Sequence, residues 1–372
     1  MLRYDLSPTP PLTTRTRPSD RRPITIAVSM GDPGGIGPEV IVKALDPRRR
    51  RAWRGVRFVI LAAESAMNAA AGRARVPRFW SLCSPTASWP KGDVLLDYEI
   101  RPPRSGYAAK PTALGGSMSF RCFSDAVILA LHGSQTGVGA IVTGPISKKA
   151  WELAGHGEFP GHTEALARLC GVPRCAMFFH APPSANGPGL NVILATVHVP
   201  LARVPGLLTR ERIENVISLG HQTMRQLGTP RPRIAVCGLN PHAGEDGLLG
   251  DDEARVIEPA LRASRRRGIR CAGPFPADTI FQRALSTRTK PAEFDLVVAM
   301  YHDQGLIPLK TLAWDRTVNL TAGLPIIRTS PDHGTAFDIA GTNRADAGSM
   351  RAAVDTAIRL ARAGLKTGST KF

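Results

Sequence analysis

The sequence predicts an α/β protein of two α/β/α domains around largely parallel sheets, with a ligand site in the cleft between them. Strand-sized apolar runs alternate with helical patterns along most of the chain. These runs are almost continuously apolar, as is typical of parallel strands that are covered on both faces. The length of 372 residues exceeds what one core ordinarily holds. We therefore expect two domains, with separate sheets or one continuous sheet.

The elements are predicted in chain order from a strand at 24–29, which ends in the glycine-rich turn MGDPGGIGPE and a helix. Further strands are expected at 57–62, 140–143, 191–196, 233–237 and 294–299, and helices at 124–131, 163–169, 210–227 and 252–266. A last helix at about 347–363 is expected to pack back on the first domain. The first domain is therefore predicted at 24–150 plus about 320–372, and the second at 151–319. Residues 1–23 are interpreted as a disordered basic tail, and 181–189 as a surface loop.

The composition indicates a soluble globular protein, because 43% of the residues are hydrophobic and 21% are charged. No apolar run approaches the length of a membrane span, and the first residues lack the apolar core of a secretory signal. The six cysteines form no C-x-x-C pair, which favours reduced thiols. We expect a cytoplasmic protein without a membrane partner.

A formal charge of +18 raises the alternative of a basic nucleic-acid-binding protein. The cations are mostly scattered arginines, and only 6% of the residues are aromatic, so few rings could stack on bases. We interpret the charge as a solvated surface and keep nucleic-acid binding as a remote alternative.

Each of three predicted strands is followed within a few residues by a histidine, namely His198, His242 and His302. Side chains just past the carboxyl ends of parallel strands line the ligand crevice of an open sheet. Three imidazoles at that edge could hold one divalent cation and leave positions open for a substrate. Each histidine alone is more simply explained as a structural residue, but a packed core gives no reason for the repeated placement.

Anion recognition is predicted at the start of the helix at 163–169, where His162 and Thr163 stand beside exposed backbone amides. Thr163 could equally be a helix cap. Lys310, Asn319 and Arg328 are further candidates to hold an anion.

Two small-residue loops remain ambiguous from their residues alone. The turn at 31–37 lacks the G-x-G-x-x-G spacing and therefore does not support standard dinucleotide binding. The loop at 332–341 would allow close approach of a flat ligand, or simply form a turn.

Taken together, these segments resemble the 4-hydroxythreonine-4-phosphate dehydrogenase family of pyridoxal phosphate biosynthesis. The resemblance covers 24 to about 352, and its blocks are MGDPGGIGPE, TGPISK, GHTE, LNPHAGE, GPFPADT, MYHDQG and VNLTAGLPIIRTSPDHGTAFDIAG. It implies metal binding by His198, His242 and His302, substrate contacts from His162, Thr163, Lys310, Asn319 and Arg328, and a homodimer that shares its active site at the interface. The loop also resembles the HGSAPDIAG adenine loop of isocitrate and isopropylmalate dehydrogenases, which implies a similar fold and cofactor contacts from His333, Gly334, Thr335 and Asp338. Phe337 replaces the proline of that loop.

The resemblance implies oxidation of 4-phosphooxy-L-threonine by NAD or NADP with a divalent ion such as zinc, magnesium or cobalt. The β-keto acid would then lose carbon dioxide to give 3-amino-2-oxopropyl phosphate. Asp278 and Asp303 are candidates for the catalytic base, each with a structural role as its alternative, and Lys148 is expected near the cleft. Sibling enzymes that oxidise erythronate or threonate 4-phosphate remain an open alternative.

Overall fold

The computed structural model describes residues 23–99, 103–185 and 187–367, with the side chains of 365–367 left out. Within them, twelve strands form one continuous sheet in the order β3-β4-β2-β1-β5-β12-β11-β6-β7-β10-β8-β9. The strands are β1 Ile24–Ser29, β2 Val56–Ala62, β3 Ser81–Cys83, β4 Val94–Asp97, β5 Val138–Thr143, β6 Ala176–Ala181, β7 Leu190–Leu194, β8 Ile234–Cys237, β9 Cys271–Phe275, β10 Leu296–Ala299, β11 Val318–Ala322 and β12 Arg328–Pro331.

Helices cover the sheet and connect most of its parallel strands. They are α1 Gly37–Ala44, α2 Glu64–Ala74, α3 Ala113–Leu131, α4 Gly133–Thr136, α5 Lys148–Leu153, α6 His162–Leu169, α7 Val204–Leu207, α8 Arg210–Gln226, α9 Glu258–Arg266, α10 Ala277–Arg283, α11 His302–Ala313 and α12 Gly348–Thr367. Short 3-10 turns lie at Pro47–Arg49, Arg51–Trp53 and Leu201–Arg203, and a π-helical turn at Glu253–Ile257 leads into α9.

The predicted α/β class with a largely parallel sheet is confirmed. Each predicted strand is present within a few residues of its expected bounds, because each is a mostly buried and mostly apolar run, as in β1 and β8. The middle of the sheet is antiparallel and differs from the parallel pairing that was predicted. There β11 pairs antiparallel with both β12 and β6, and β6 pairs antiparallel with β7. Strands β7, β10, β8 and β9 therefore run opposite to β5.

The antiparallel centre was not anticipated, and neither were the strands β3, β4, β6, β9, β11 and β12. The strand β11 carries polar residues such as Asn319 and Thr321, and β12 reads Arg-Thr-Ser-Pro, so neither is an apolar run. The predicted helix at 124–131 is the second half of α3, whose first half is rich in glycine and serine.

Two helices explain how the first half of the sheet is covered. The last helix, α12, packs against β12, β5 and β1, where it was expected to return. The helix α3 is long and apolar enough to span a membrane by composition, but half of its most apolar window is buried inside the protein. It packs on β1, β2, β5 and α5 and is therefore a core helix.

Candidate functional site

A cavity of about 200 Å³ lies where the two halves of the sheet meet. It extends from the carboxyl end of β5 across β12, β11 and β6 to the segment that follows β7. Its polar lining is Thr143, Lys148, His162, Thr163, Glu164, His198, Asn319, Arg328, Ser330, Asp332 and His333. The cavity therefore combines residues from both predicted domains.

Arg328 is the buried cation of this cavity, with 3% of its surface exposed. Its Nε and one terminal nitrogen donate to the hydroxyl of Thr143 at 3.1 and 2.7 Å, and the other terminal nitrogen donates to Thr321 at 3.3 Å. No carboxylate of the described chain forms an ion pair with it. Burial lowers the pKa of the guanidinium to about 9, so an anion in the cavity would compensate an otherwise costly charge.

Three buried polar atoms of the same cavity have no hydrogen-bond partner among the described residues. They are His162 Nε2, Asn319 Oδ1 and His333 Nε2. A ligand that carried both donors and acceptors would satisfy them, since unpaired buried polar atoms are rare in folded proteins.

The start of α6 forms one wall of the cavity. His162 packs against Phe123 and Trp151, with ring centroids 4.9 and 5.6 Å away. Burial and the charge of Arg328 hold the pKa of His162 well below its usual range. Thr163 and Glu164 follow in the first turn, so the free amides of the helix and the Arg328 guanidinium lie along one cavity. This arrangement suits a phosphate group.

The lysines occupy different positions. Lys310, which was expected to contact substrate, forms an ion pair with Asp332 at 3.1 Å and is not part of the cavity wall. Lys148 lines the cavity, as expected, and its charge contributes to a lowered pKa of His198, whose main cause is burial.

Two of the three strand-end histidines lie together. The rings of His198 and His302 are 5.5 Å apart at their centroids, since β7 and β10 are neighbouring parallel strands. His302 Nδ1 forms a 2.7 Å hydrogen bond with the Asp303 carboxylate. The carboxylate places the proton on Nδ1 and leaves Nε2 free to bind a metal ion, as in carboxylate–histidine–metal triads.

His242 lies elsewhere on the surface. It is exposed in the segment Pro241–Gly247, where five consecutive residues from His242 to Asp246 have positive φ angles between 46° and 87°. The buried Glu253 carboxylate accepts hydrogen bonds from the backbone amides of Leu239 and Asn240 just before this left-handed turn. Within the described residues, no three His, Cys, Asp or Glu side chains converge on one metal position. Only two of the three expected ligands are therefore adjacent in one chain.

The two candidate bases do not line the cavity. Asp278 is exposed in the first turn of α10. Asp303 is 71% exposed and bonded to His302, which indicates an orienting role.

The loop at 332–341, which holds the predicted cofactor residues, crosses the glycine turn. The carbonyl oxygen of Thr335 accepts a 2.9 Å hydrogen bond from the Ile36 amide. A Cβ atom on Gly35 would lie 2.9 Å from that oxygen, so the turn requires glycine there. His333 and Gly334 line the cavity, whereas Asp338 is exposed outside it.

Sequence reasoning did not single out Thr143, Glu164, Ser330 or Asp332. These four residues lie in the blocks TGPISK, GHTE and TSPDHG. The blocks carry the family resemblance, but no role was predicted for these side chains.

Comparisons with known proteins identify the family of this chain. The model of the family described as pyridoxal phosphate biosynthetic protein PdxA matches residues 58–357. A 4-hydroxythreonine-4-phosphate dehydrogenase of Geobacter metallireducens is 43% identical over 93% of this chain and 98% of its own. A D-threonate 4-phosphate dehydrogenase of Salmonella typhimurium is 40% identical over 91% and 99%. The crystal structure of 4-hydroxythreonine-4-phosphate dehydrogenase from Klebsiella pneumoniae is 41% identical, with a TM-score of 0.75 over 91% of this chain and 99% of that one.

Proposed function

Because the chain belongs to the PdxA family of dehydrogenases, we propose that it oxidises 4-phosphooxy-L-threonine with NAD, or with NADP, and a divalent metal ion. The product is 2-amino-3-oxo-4-phosphooxybutanoate, which loses carbon dioxide to give 3-amino-2-oxopropyl phosphate in pyridoxal phosphate biosynthesis. We further propose a cytoplasmic homodimer. The observation that carries the substrate class is the buried Arg328, which has no carboxylate partner among the described residues and lies in the cavity beside the start of α6.

The phosphate of the substrate is assigned to the cavity formed by Arg328, His162, Thr163 and Asn319. Arg328 can donate charge-assisted hydrogen bonds, and the first amides of α6 add a favourable dipole. The unpaired atoms of His162 and Asn319 fit the remaining donors and acceptors of a polar substrate. Because Lys310 is already paired with Asp332, its substrate contact requires that this ion pair opens or is shared.

The metal ion is assigned to His198 and His302 of one subunit and His242 of a second subunit. The facing imidazoles and the hydrogen bond from His302 to Asp303 suit a divalent ion. His242 is exposed on a turn fixed by Glu253, and the exposed Leu248 and Leu249 follow it, which favours a protein interface there.

The reaction follows from these positions. When bound, the metal ion supplies Lewis acidity at the substrate's C3 hydroxyl, and the nicotinamide supplies the hydride acceptor. Arg328 and α6 hold the phosphate so that C3 lies toward His198. Lys148 lines the cavity and, as the neutral amine, is better placed than Asp278 or Asp303 to take the hydroxyl proton. The loop at 332–341 begins in the cavity wall at His333 and Gly334. We assign it to the cofactor, with contacts from His333, Gly334, Thr335 and Asp338.

Oxidation of D-threonate 4-phosphate is the second candidate, because a relative of that name is 40% identical over nearly its whole length. Formation of NADH from each substrate, with added metal ion and with chelator, separates the two. A greater kcat/KM on 4-phosphooxy-L-threonine supports the proposed substrate. A greater kcat/KM on D-threonate 4-phosphate supports the second candidate instead. Activity on both that survives chelation would contradict the metal assignment.

A further inference from the structure

Two carboxylates line the substrate cavity, and they differ in their partners. Asp332 is paired with Lys310 at 3.1 Å. The carboxylate of Glu164 forms no hydrogen bond or ion pair with another described residue. Glu164 is also exposed, so water alone solvates its charge in the free protein. It is therefore available to bind a cationic group of a ligand in this cavity.

Glu164 lies close to the positions proposed for both the phosphate and the metal ion. It follows Thr163 in the first turn of α6, beside the phosphate position. A Cβ atom on Gly161 would lie 3.6 Å from Glu164 Oε2 and 3.4 Å from Lys148 Cε, so the carboxylate and the lysine flank one glycine. Burial lowers the pKa of His198, and the negative charge of Glu164 opposes this shift, which places the carboxylate near that imidazole as well.

An acidic residue in the first turn of a helix has a simpler explanation. Its charge interacts favourably with the helix dipole, and Glu164 occupies such a position in α6. This stabilising role does not depend on which substrate is bound. A role in recognition differs in that it predicts a different effect on substrates that differ in charge near Glu164.

The two candidate substrates differ in this way. They share the phosphate, the C3 hydroxyl and the carboxylate, but at C2 4-phosphooxy-L-threonine carries an ammonium group and D-threonate 4-phosphate a hydroxyl. With the phosphate at Arg328 and C3 toward His198, the group on the adjacent C2 lies within the part of the cavity that Glu164 borders. An ammonium group donates charge-assisted hydrogen bonds to a carboxylate, which are stronger than those of a neutral hydroxyl.

We propose that Glu164 binds the C2 ammonium group and favours the amino acid substrate over the hydroxy acid. The inference rests on the proposed function, from which it takes the positions of the phosphate and of C3. It adds a specificity-determining residue to the substrate contacts proposed above.

The test compares Glu164→Gln with the wild type on both substrates. NADH formation gives kcat/KM, and calorimetry with each substrate, in chelator and without NAD, gives a binding constant that does not depend on turnover. Glu164→Gln keeps the size of the side chain and removes its charge, and the fold should persist because the residue is exposed. Glu152→Gln is the matched control, because Glu152 is exposed, pairs with Lys149 and lies outside the cavity.

We expect Glu164→Gln to lower the ratio of affinities, and of kcat/KM values, for 4-phosphooxy-L-threonine over D-threonate 4-phosphate by about ten- to a hundredfold. Binding of D-threonate 4-phosphate and of inorganic phosphate should not weaken, because the variant loses a negative charge near an anion. Glu152→Gln should behave as the wild type.

Equal changes for both substrates, or no change for either, would overturn the assignment of Glu164 and leave the proposed function intact. If the wild type prefers D-threonate 4-phosphate, the proposed substrate is overturned, while the change in the ratio still decides the role of Glu164. A wild type that binds no 4-phosphooxy-L-threonine overturns both.

Discussion

Arg328 and Thr143 form an unequal pair in the middle of the sheet, in which a buried guanidinium donates twice to one neutral hydroxyl. A hydroxyl does not neutralise a cation, so this cavity is electrostatically incomplete without an anion. The arrangement lowers the stability of the free protein in exchange for ligand affinity, as functional sites often do.

Replacing Arg328 with Met should therefore weaken substrate binding without lowering the stability of the free protein. We expect KM for the phosphorylated substrate to rise about a hundredfold, because a charge-assisted contact is lost. The free variant should be as stable as the wild type or more stable, because an uncompensated charge is removed from the interior. Thermal unfolding with and without inorganic phosphate checks both points, since phosphate should raise the melting temperature of the wild type only. A variant that phosphate still stabilises would show that the anion binds elsewhere.

The hydrogen bond from His302 to Asp303 predicts an effect on metal affinity. Asp303→Asn should weaken metal binding by about ten- to a hundredfold, because the amide no longer fixes the imidazole as a carboxylate does. The fold should persist, because Asp303 is largely exposed. Asp278→Asn is the matched control and should bind metal and turn over substrate normally, since Asp278 is exposed and outside the cavity. Metal titration followed by cobalt absorption measures the affinities, and an inactive Asp278→Asn variant with normal metal binding would restore that residue as the catalytic base.

Part of this site could be predicted from the sequence, and the reason is topological. His198, His242 and His302 each follow a buried apolar run, and the strands β7, β10 and β8 are adjacent and parallel in the structure. The sequence could not place His242, because the left-handed turn follows two backbone amides that are held by Glu253, and such hydrogen bonds are not visible in a hydrophobic pattern. Nor could it show that Lys310 is paired with Asp332, since that contact joins α11 to the segment after β12.

A buried histidine far from the cavity predicts the acid sensitivity of the fold. On β6, His180 forms hydrogen bonds with Asn191 at 2.6 Å and with Arg359 of α12 at 2.7 Å. Burial, and then the charge of Arg359, lower the pKa of His180 from 6.5 to about 4. The unfolded chain therefore binds the additional proton between these two values, and the stability that neutral His180 contributes is lost as the pH falls from about 6.5 toward 4, by about 3 kcal/mol in total.

His180→Gln tests this relation, because the amide does not titrate. The free energy of unfolding should decrease less steeply between pH 6.5 and 4 in this variant than in the wild type. His132→Gln, which changes an exposed histidine, should retain the wild-type slope. Urea unfolding at several pH values gives the slopes, and equal slopes for all three proteins would show that His180 does not govern the acid sensitivity.

Lys148 and Lys149 provide an internal comparison for proton transfer. Lys148 lines the cavity, whereas Lys149 is exposed and pairs with Glu152 on the surface of α5. Lys148→Met should lower kcat by about 10² to 10⁴, the usual contribution of a positioned acid or base, while KM changes little. Lys149→Met should leave both constants unchanged. A large rise in KM with normal kcat for Lys148→Met would instead assign this residue to substrate binding.

The separation of His242 from the His198–His302 pair predicts that two inactive variants can restore each other. His198→Ala and His242→Ala should each lack metal-dependent activity, because each removes a ligand from every site of a symmetric dimer. If His242 comes from the second subunit, a mixed dimer has one site that lacks both histidines and one site that is intact. Random reassociation after mild unfolding should therefore recover about a quarter of the wild-type activity. The combination of His198→Ala with His302→Ala is the control, and it should recover nothing, because both residues belong to the same half of the site. Recovery in the control but not in the first mixture would show that His198 and His302 come from different subunits, which contradicts the shared site proposed above.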